Sequence, residues 1–319
     1  MAYQAGDPIL DDEYNTFVNN GTSPFGYNHF AGTGSGEYGL GQTPIATVSA
    51  GDTINASHWN TLFTGLDTIA NHTNDTMTSR SAVSAGDTIA IKAAVATDLA
   101  TLAASVAGGC TSATAIDTGT AAGSSTNAAT WNGTSTIERS VTFASADAMR
   151  HYFNAGGIIR IDPSCITGID GDKDTVFNDL TVTATGNLDL KAQSTTRSGS
   201  GETLTTNGLA NGFHDLGTSY TTLLKLTSDN SGYTSNTVEY SAKLDAAVNS
   251  ATVLTIKMVS VDADNDDTYT SPNTSGVPAN PNEAPRMTLA LLASNPNDTE
   301  GLAADITSAS NAEVSNSTS

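Results

Sequence analysis

The chain has 319 residues, which is enough for about two domains of ordinary size. Charged residues make up only 14% of it, and 33 acidic residues outweigh 12 basic ones, so the formal net charge is −21. A chain this acidic repels phosphate backbones, which argues against nucleic acid as a ligand. Nor does any run approach the roughly 20 apolar residues that cross a bilayer, so we predict no membrane span. The first residues lack the basic and apolar regions of a secretory signal, and we expect none.

A short motif, AGD followed by one residue and then Ile, occurs three times in the first 108 residues. The copies begin at Ala5, Ala50 and Ala85, and each precedes a segment with helical patterning. Gly supplies the backbone angle of a tight turn, and Asp supplies a local side-chain hydrogen bond. We therefore predict three turns that each lead into a helix.

In the first two copies, an apolar pair follows the turn at the same spacing. Ile9 and Tyr14 form the first pair, and Ile54 and Trp59 form the second. With Asn55 as the N-cap of the second helix, Ile54 and Trp59 take the two positions of a hydrophobic staple. We expect these pairs to order the N-terminal helices.

The third predicted helix carries a narrow apolar stripe over about residues 91–106. Its members stand three or four residues apart: Ile91, Val95, Leu99, Leu102 and Val106. Such a stripe is typical of a helix that packs against a partner helix. Two alternatives are open: the stripe packs against other helices of the same chain, or it forms a seam between subunits of a homo-oligomer.

Residues 109–139 are rich in Gly, Ser, Thr and Ala, and we predict a linker there. A strand, a helix and a strand are predicted at 140–161. Further short strands, bounded by Gly, Asn and Asp, are predicted at 180–183, 222–226, 237–244, 252–261 and 287–292. We therefore predict an α+β, mainly β fold. A short-helix region at 1–108 docks or oligomerises, and an antiparallel β-sandwich-like outer domain occupies 140–319.

Asp262, Asp264 and Asp266 follow the longest predicted strand and are the candidate metal ligands. Carboxylate oxygens in such a cluster suit Ca²⁺, although the Gly and Glu of an EF-hand loop are missing. Solvated turn residues are the alternative interpretation. Cys110 and Cys165 lie in no zinc-binding array, and we predict no other cofactor.

The sequence has no arrangement typical of a catalytic site, since it contains neither a GxSxG elbow nor an HExxH pair. Two carboxylates for glycoside hydrolysis would be brought together only in space and leave no local signature. Trp131 and Tyr233 are the aromatic residues in predicted loops that could stack on sugars. We therefore predict a protein that is not an enzyme, with a host surface glycan as an alternative ligand.

Several segments resemble a family of virion structural proteins of marine tailed phages, especially T4-like cyanophages. The first is GTGSGEYGLGQTPIATVSAGDTINASHWNTL at 32–62, and the second is VTFASADAMRHYFNAGGIIRI at 141–161. GFHDL at 212–216 and the acidic strand end near Asp262 are similar to later landmarks of that family. The chain departs from the family pattern at 39–42, where it has GLGQ and a Tyr is usual.

The resemblance implies a structural subunit of a tailed-bacteriophage virion, in a tail, neck or fibre-like appendage. Such a subunit assembles in the host cytoplasm with other virion proteins and with copies of itself. The shared motifs are architectural and name no active site. A capsid decoration protein and a host-glycan-binding adhesin are the alternatives.

Overall fold

The computed structural model describes residues 11–19, 26–31, 43–73, 75–85, 87, 92–108, 123–154, 156–167, 171–263, 284–294 and 310–318. Six α-helices and eleven strands lie within these ranges. The chain divides into two compact units. The first consists of residues 1–115, 145–157 and 295–305, and the second consists of residues 116–144, 158–294 and 306–319. The helix within 145–157 therefore belongs with the N-terminal region, although it was predicted as part of the outer domain.

The first unit contains five helices among its described residues, joined in part by extended segments and turns. The helices are α1 (Asp11–Val18), α2 (Tyr27–Ala31), α3 (Ala56–Thr73), α4 (Lys92–Gly108) and α5 (Ala146–Asn154). The start of α3 is the predicted one, because Oδ1 of Asn55 accepts a hydrogen bond from the amide of Ser57 at 3.1 Å. Ser145 caps α5 in a similar way, since its hydroxyl accepts from the amide of Ala148 at 3.1 Å.

The apolar faces of α1 to α4 form one core. Trp59 on α3 contacts α1 there, because its ring lies edge-on to that of Tyr14, with the ring centres 5.6 Å apart. The ring centre of Phe63, also on α3, lies 6.0 Å from that of Trp59. Ile54 is half-buried and packs against the same core, while Ile9 lies outside the described residues. Aromatic contacts of this kind add to the free energy gained by burying apolar area.

The apolar stripe of α4 is packed inside the chain. Val95, Leu99 and Leu102 are buried in the same core as the inner face of α3. Ile91 and the side chain of Val106 lie outside the described part. Three of the five stripe residues are thus covered by the chain's own helices. This geometry favours the first alternative for the stripe over a seam between subunits.

Two antiparallel sheets form most of the second unit, and the mainly β, α+β prediction is confirmed. The five-stranded sheet has the order β1 (Gly123–Thr126), β10 (Arg286–Ser294), β3 (Ile158–Ile166), β4 (Leu188–Leu190) and β5 (Thr195–Arg197). The six-stranded sheet has the order β11 (Ser310–Thr318), β2 (Gly133–Thr142), β9 (Val253–Asp262), β8 (Thr237–Leu244), β7 (Thr221–Thr227) and β6 (Thr203–Asn207).

The predicted linker at 109–139 requires a correction, because its second half contains β1 and most of β2. The Ser- and Thr-rich sequence of β2 alternates, and Ile137 is completely buried opposite Met258 of β9. Alternate residues of a strand face opposite sides of the sheet, and the face of Ile137 also buries Ser135 and Arg139. Hydrogen bonds to Asn127 and Ser125 satisfy these two polar side chains, which allows a largely polar sequence to lie in the sheet.

The strand predicted at 180–183 is wrong. Helix α6 (Gly171–Asn178) continues there into a π-helical segment, Asp179–Thr185. The hydroxyl of Thr181 donates to the carbonyl four residues earlier at 2.6 Å, and the amide of Gly186 donates to the carbonyl five residues earlier at 2.9 Å. The β-branched residues that suggested a strand are thus bonded within the helix, and Gly186 ends it at a φ of +57°.

Shortening Leu102 tests whether the α4 stripe packs inside the chain. We expect Leu102→Ala to lower the free energy of unfolding by about 2–5 kcal/mol, because a completely buried Leu leaves a cavity. Urea denaturation measures this, and light scattering should show an unchanged oligomeric state. The control Leu204→Ala removes an exposed side chain and should change stability by no more than about 0.5 kcal/mol. Unchanged stability together with a dissociated oligomer would instead support a seam between subunits.

Candidate functional site

The heptapeptide VSAGDTI occurs twice, at 48–54 and at 83–89. In the copy at 48–54, the carboxylate of Asp52 accepts a hydrogen bond from the amide of Ser49 at 2.8 Å. The amide of Asp52 donates to the Ser49 carbonyl at 3.0 Å. The described residues of the second copy repeat both bonds, at 2.7 and 3.0 Å. Gly51 has a φ of +89°. The predicted turn and the predicted roles of Gly and Asp are confirmed in this copy.

An asparagine side chain holds the residue that opens each heptapeptide. Oδ1 of Asn15 on α1 accepts from the amide of Val48 at 2.9 Å, and its Nδ2 donates to the carbonyl of the same residue at 2.8 Å. Asn60 on α3 holds Val83 in the same way, at 2.8 and 3.0 Å. One side-chain amide thus satisfies both backbone polar groups of one residue, as a neighbouring strand would. We call this arrangement an Asn clamp.

A third Asn clamp lies on α2, where Asn28 holds the amide and the carbonyl of Ile45, both at 2.8 Å. Each clamping residue directly follows a buried aromatic residue in the sequence, in the pairs Tyr14-Asn15, Tyr27-Asn28 and Trp59-Asn60. Packing roles were predicted for Tyr14 and Trp59, whereas the roles of the three asparagines were not predicted. The recurring aromatic-Asn pair is the sequence signal that could have revealed them.

An open groove of about 720 Å³ is lined by the clamped segment 43–47 and by one face of α3. Most of its lining side chains carry a hydroxyl or amide group: Tyr14, Tyr27, Thr43, Thr47, Ser57, Asn60, Thr61, Thr64 and Thr68. No Asp, Glu, Lys or Arg is among its described lining residues, although the chain as a whole carries a net charge of −21. The described lining of the groove therefore combines hydroxyl and amide groups with a larger share of apolar surface and contains no carboxylate, ammonium or guanidinium group.

Two tyrosines shape this groove. Burial raises the pKa of both Tyr14 and Tyr27 to about 12, so both phenols stay protonated at neutral pH. Their hydroxyls donate to backbone carbonyls, that of Tyr14 to His58 at 3.3 Å and that of Tyr27 to Thr43 at 3.1 Å. Gly65 makes room for the second ring, because a Cβ there would lie 2.5 Å from a ring carbon of Tyr27.

The candidate metal ligands are not assembled by the described residues. Asp262 is buried, and its carboxylate is paired with Nζ of Lys173 at 2.5 Å. Asp264 and Asp266 lie outside the described part of the chain. Within that part, no three His, Cys, Asp or Glu side chains are placed to share a metal ion. The calcium site stays a prediction, and Asp262 has a different partner in this structure.

The aromatic residues considered for sugar stacking do not form a platform. Trp131 is 3% exposed, its Nε1 donates to the carbonyl of Pro285 at 2.7 Å, and its ring packs edge-on against Phe177. Tyr233 is half-buried. A sugar would need a flat and accessible ring face, which Trp131 does not offer.

No family model, no curated protein and no solved structure matches this chain. Among the described helices, none is both long enough and apolar enough to cross a membrane. A function for this protein therefore has to be inferred from the chain and its geometry.

Exchanging the amide of one Asn clamp for a carboxyl tests the clamp. Asn60→Asp replaces the Nδ2 donor by an oxygen and leaves the Val83 carbonyl without its partner. We expect a loss of about 1–3 kcal/mol in the free energy of unfolding. Hydrogen exchange should accelerate at the Val83 amide more than at that of Val48, which Asn15 holds. Asn15→Asp should reverse this order, and equal acceleration at both amides in either variant would contradict separate clamps.

His29 on α2 predicts a pH dependence of stability. It is 7% exposed, and burial lowers its pKa from 6.5 to about 4. The unfolded chain takes up a proton as the pH falls below 6.5, whereas the folded chain does so only near 4. This residue therefore lowers stability as the pH falls through that window, by about 1.4 kcal/mol per pH unit, and has little further effect outside it.

Comparison with His29→Gln isolates this contribution from that of the carboxylates. The difference in unfolding free energy between wild type and variant should shift in favour of the variant as the pH is lowered from 6.5 to 4. Urea denaturation at several pH values measures it. A difference that is constant across this window would show that His29 is protonated in the folded chain.

Proposed function

We propose that this chain is a structural subunit of a tailed-bacteriophage virion, located in a tail, neck or fibre-like appendage. The resemblance of residues 32–62 and 141–161 to virion structural proteins of marine tailed phages motivates the proposal. The protein acts by assembly and not by catalysis. Its partners are other virion proteins and copies of itself.

The proposal rests on what the two resembling segments do in the structure. The described part of the first segment, residues 43–62, provides a clamped stretch of backbone, a turn and the start of α3. The second segment, residues 141–161, provides the end of β2, helix α5 and the start of β3. Residues of this kind determine the shape and the packing of the fold. A structural subunit contributes its shape to a particle, so these are the residues that it has in common with other structural subunits.

The edges of the six-stranded sheet support a role in assembly. Among the described residues, β6 pairs only with β7, and β11 pairs only with β2. All five residues of β6 are exposed and uncharged, and Val314 of β11 is 53% exposed. The outer N–H and C=O groups of an edge strand can pair with a strand of another chain.

Both edge strands contain a β-bulge, between Leu204 and Thr206 in β6 and between Glu313 and Ser315 in β11. A bulge interrupts the regular ladder of backbone hydrogen bonds and thereby limits open-ended pairing. Regular pairing along these edges is thus limited to the stretches on either side of each bulge.

The acidic composition is compatible with such an assembly. Charges on neighbouring copies repel each other, but at physiological ionic strength the repulsion is screened beyond about 8 Å. The net charge of −21 keeps free subunits apart in solution, and pairing through the uncharged edge β6 adds no charge to an interface.

Purified particles of the phage that encodes this chain provide the test. We expect mass spectrometry to detect the chain in particles purified by density gradient, and cryo-electron microscopy to trace it in the tail or neck. Density on the capsid lattice would favour the decoration protein instead. Absence of the chain from intact particles would refute the structural role, and specific binding of host glycans by the purified chain would favour the adhesin.

A further inference from the structure

A lysine and an aspartate meet in the interior of the second unit. Lys173 lies in the first turn of α6, and Asp262 is the last residue of β9. Nζ of the lysine is 2.5 Å from Oδ2 of the aspartate, although the two residues are 89 positions apart in the sequence. Their side chains are 1% and 0% exposed. The reacting groups of an amine and a carboxyl are thus held together away from water.

Aromatic rings lie near this pair. Phe177 is one helical turn after Lys173 on α6, which places both residues on the same side of the helix. The ring of Trp131 packs edge-on against that of Phe177, with the ring centres 5.2 Å apart. Asp262 pairs with Gly133, two residues after that tryptophan. A low-dielectric environment of this kind disfavours separated charges and favours a neutral product.

The other ion pairs of the described residues lack this combination. Lys225 and Glu239 are joined at 3.3 Å, but their side chains are 33% and 29% exposed. Arg80 and Asp98 are both buried, but a guanidinium group keeps its proton and is a poor nucleophile. Lys173 and Asp262 are the pair in which a lysine amine and a carboxyl group are both shielded from solvent.

We propose that Lys173 and Asp262 react to form an intramolecular isopeptide bond. A proton passes from the Nζ ammonium to the carboxylate, which leaves a neutral amine beside a neutral carboxylic acid. The Nζ lone pair attacks Cγ of Asp262, and a second proton moves from Nζ to the hydroxyl oxygen. The Cγ–O bond then breaks, one water molecule leaves, and an amide with a single N–H remains.

The geometry supplies what such a reaction needs. Holding the amine against the carboxyl replaces a bimolecular encounter by a step within one molecule, which raises the effective concentration of the reactants by orders of magnitude. Amide formation also removes two buried charges and releases water to the solvent. No oxidant, metal or energy-carrying cosubstrate enters the balance of this reaction.

The bond would join α6 to the end of β9, a strand in the interior of the six-stranded sheet. It closes a loop between residues far apart in the sequence, which restricts the unfolded chain and resists separation of the joined elements. This property belongs to the second unit by itself, so the inference does not depend on the role proposed for the whole protein.

Mass spectrometry of the full-length chain under denaturing conditions tests the proposal. We expect a mass lower by one water molecule than that of Lys173→Arg, after correction for the substitution. Arg keeps the positive charge but cannot form the amide. Trypsin should not cleave after a linked Lys173, so peptide 161–191 should appear joined to peptide 258–286. Lys225 is the internal control, because its exposed pair should stay unlinked and trypsin should separate 198–225 from 226–243.

The proposal would be overturned if the wild-type chain yields a free peptide 161–173 and its mass is not lower by one water molecule. So would a loss of water confined to one peptide, because that is the signature of a succinimide and not of a crosslink. If Lys173→Arg does not fold, the double variant Lys173→Met with Asp262→Leu replaces the pair by apolar residues and serves as the unlinked reference. The wild-type peptides decide the question independently of either variant.

Discussion

The helical unit depends on satisfying the backbone of the extended segments between its helices. A buried N–H or C=O group without a partner costs free energy comparable to a lost hydrogen bond. The described residues of this unit include no strand, so no sheet can supply the partners. Asn15, Asn28 and Asn60 supply them instead, each with one side-chain amide that donates and accepts. Because each asparagine is anchored by the buried aromatic residue before it, the core and the connecting segments are positioned together.

What the sequence predicts well in this unit is local. The Gly51 turn and the Asn55 cap each depend on bonds that span three residues or fewer. The clamps are different, because Asn15 and Val48 are 33 residues apart and Asn60 and Val83 are 23 apart. Nothing in the composition around an asparagine indicates which distant backbone it will meet. Repetition of the aromatic-Asn pair was the available signal, and it indicates a shared role without naming the partner.

The errors in the β-rich part have the same origin. The sequence at 180–183 has the β-branched composition of a strand, but hydroxyls such as that of Thr181 bond to helix carbonyls and its buried face continues that of α6. Residues 123–139 resemble a linker in composition, yet those in β1 and β2 pair with β10 and β9, which lie more than a hundred residues later. Local propensity is a weak guide where long-range pairing decides the structure.

Several basic side chains join distant parts of the second unit. Arg160 binds Asp189, Lys173 binds Asp262, and Arg139 binds Ser125 and Asn311. The net charge of −21 makes free copies repel each other, while these contacts hold each copy together. If copies associate as proposed above, surfaces that carry no charge are the ones at which repulsion between them is smallest. The edge strand β6, which has only Thr, Leu and Asn, is such a surface, because two such edges can approach without bringing carboxylates face to face.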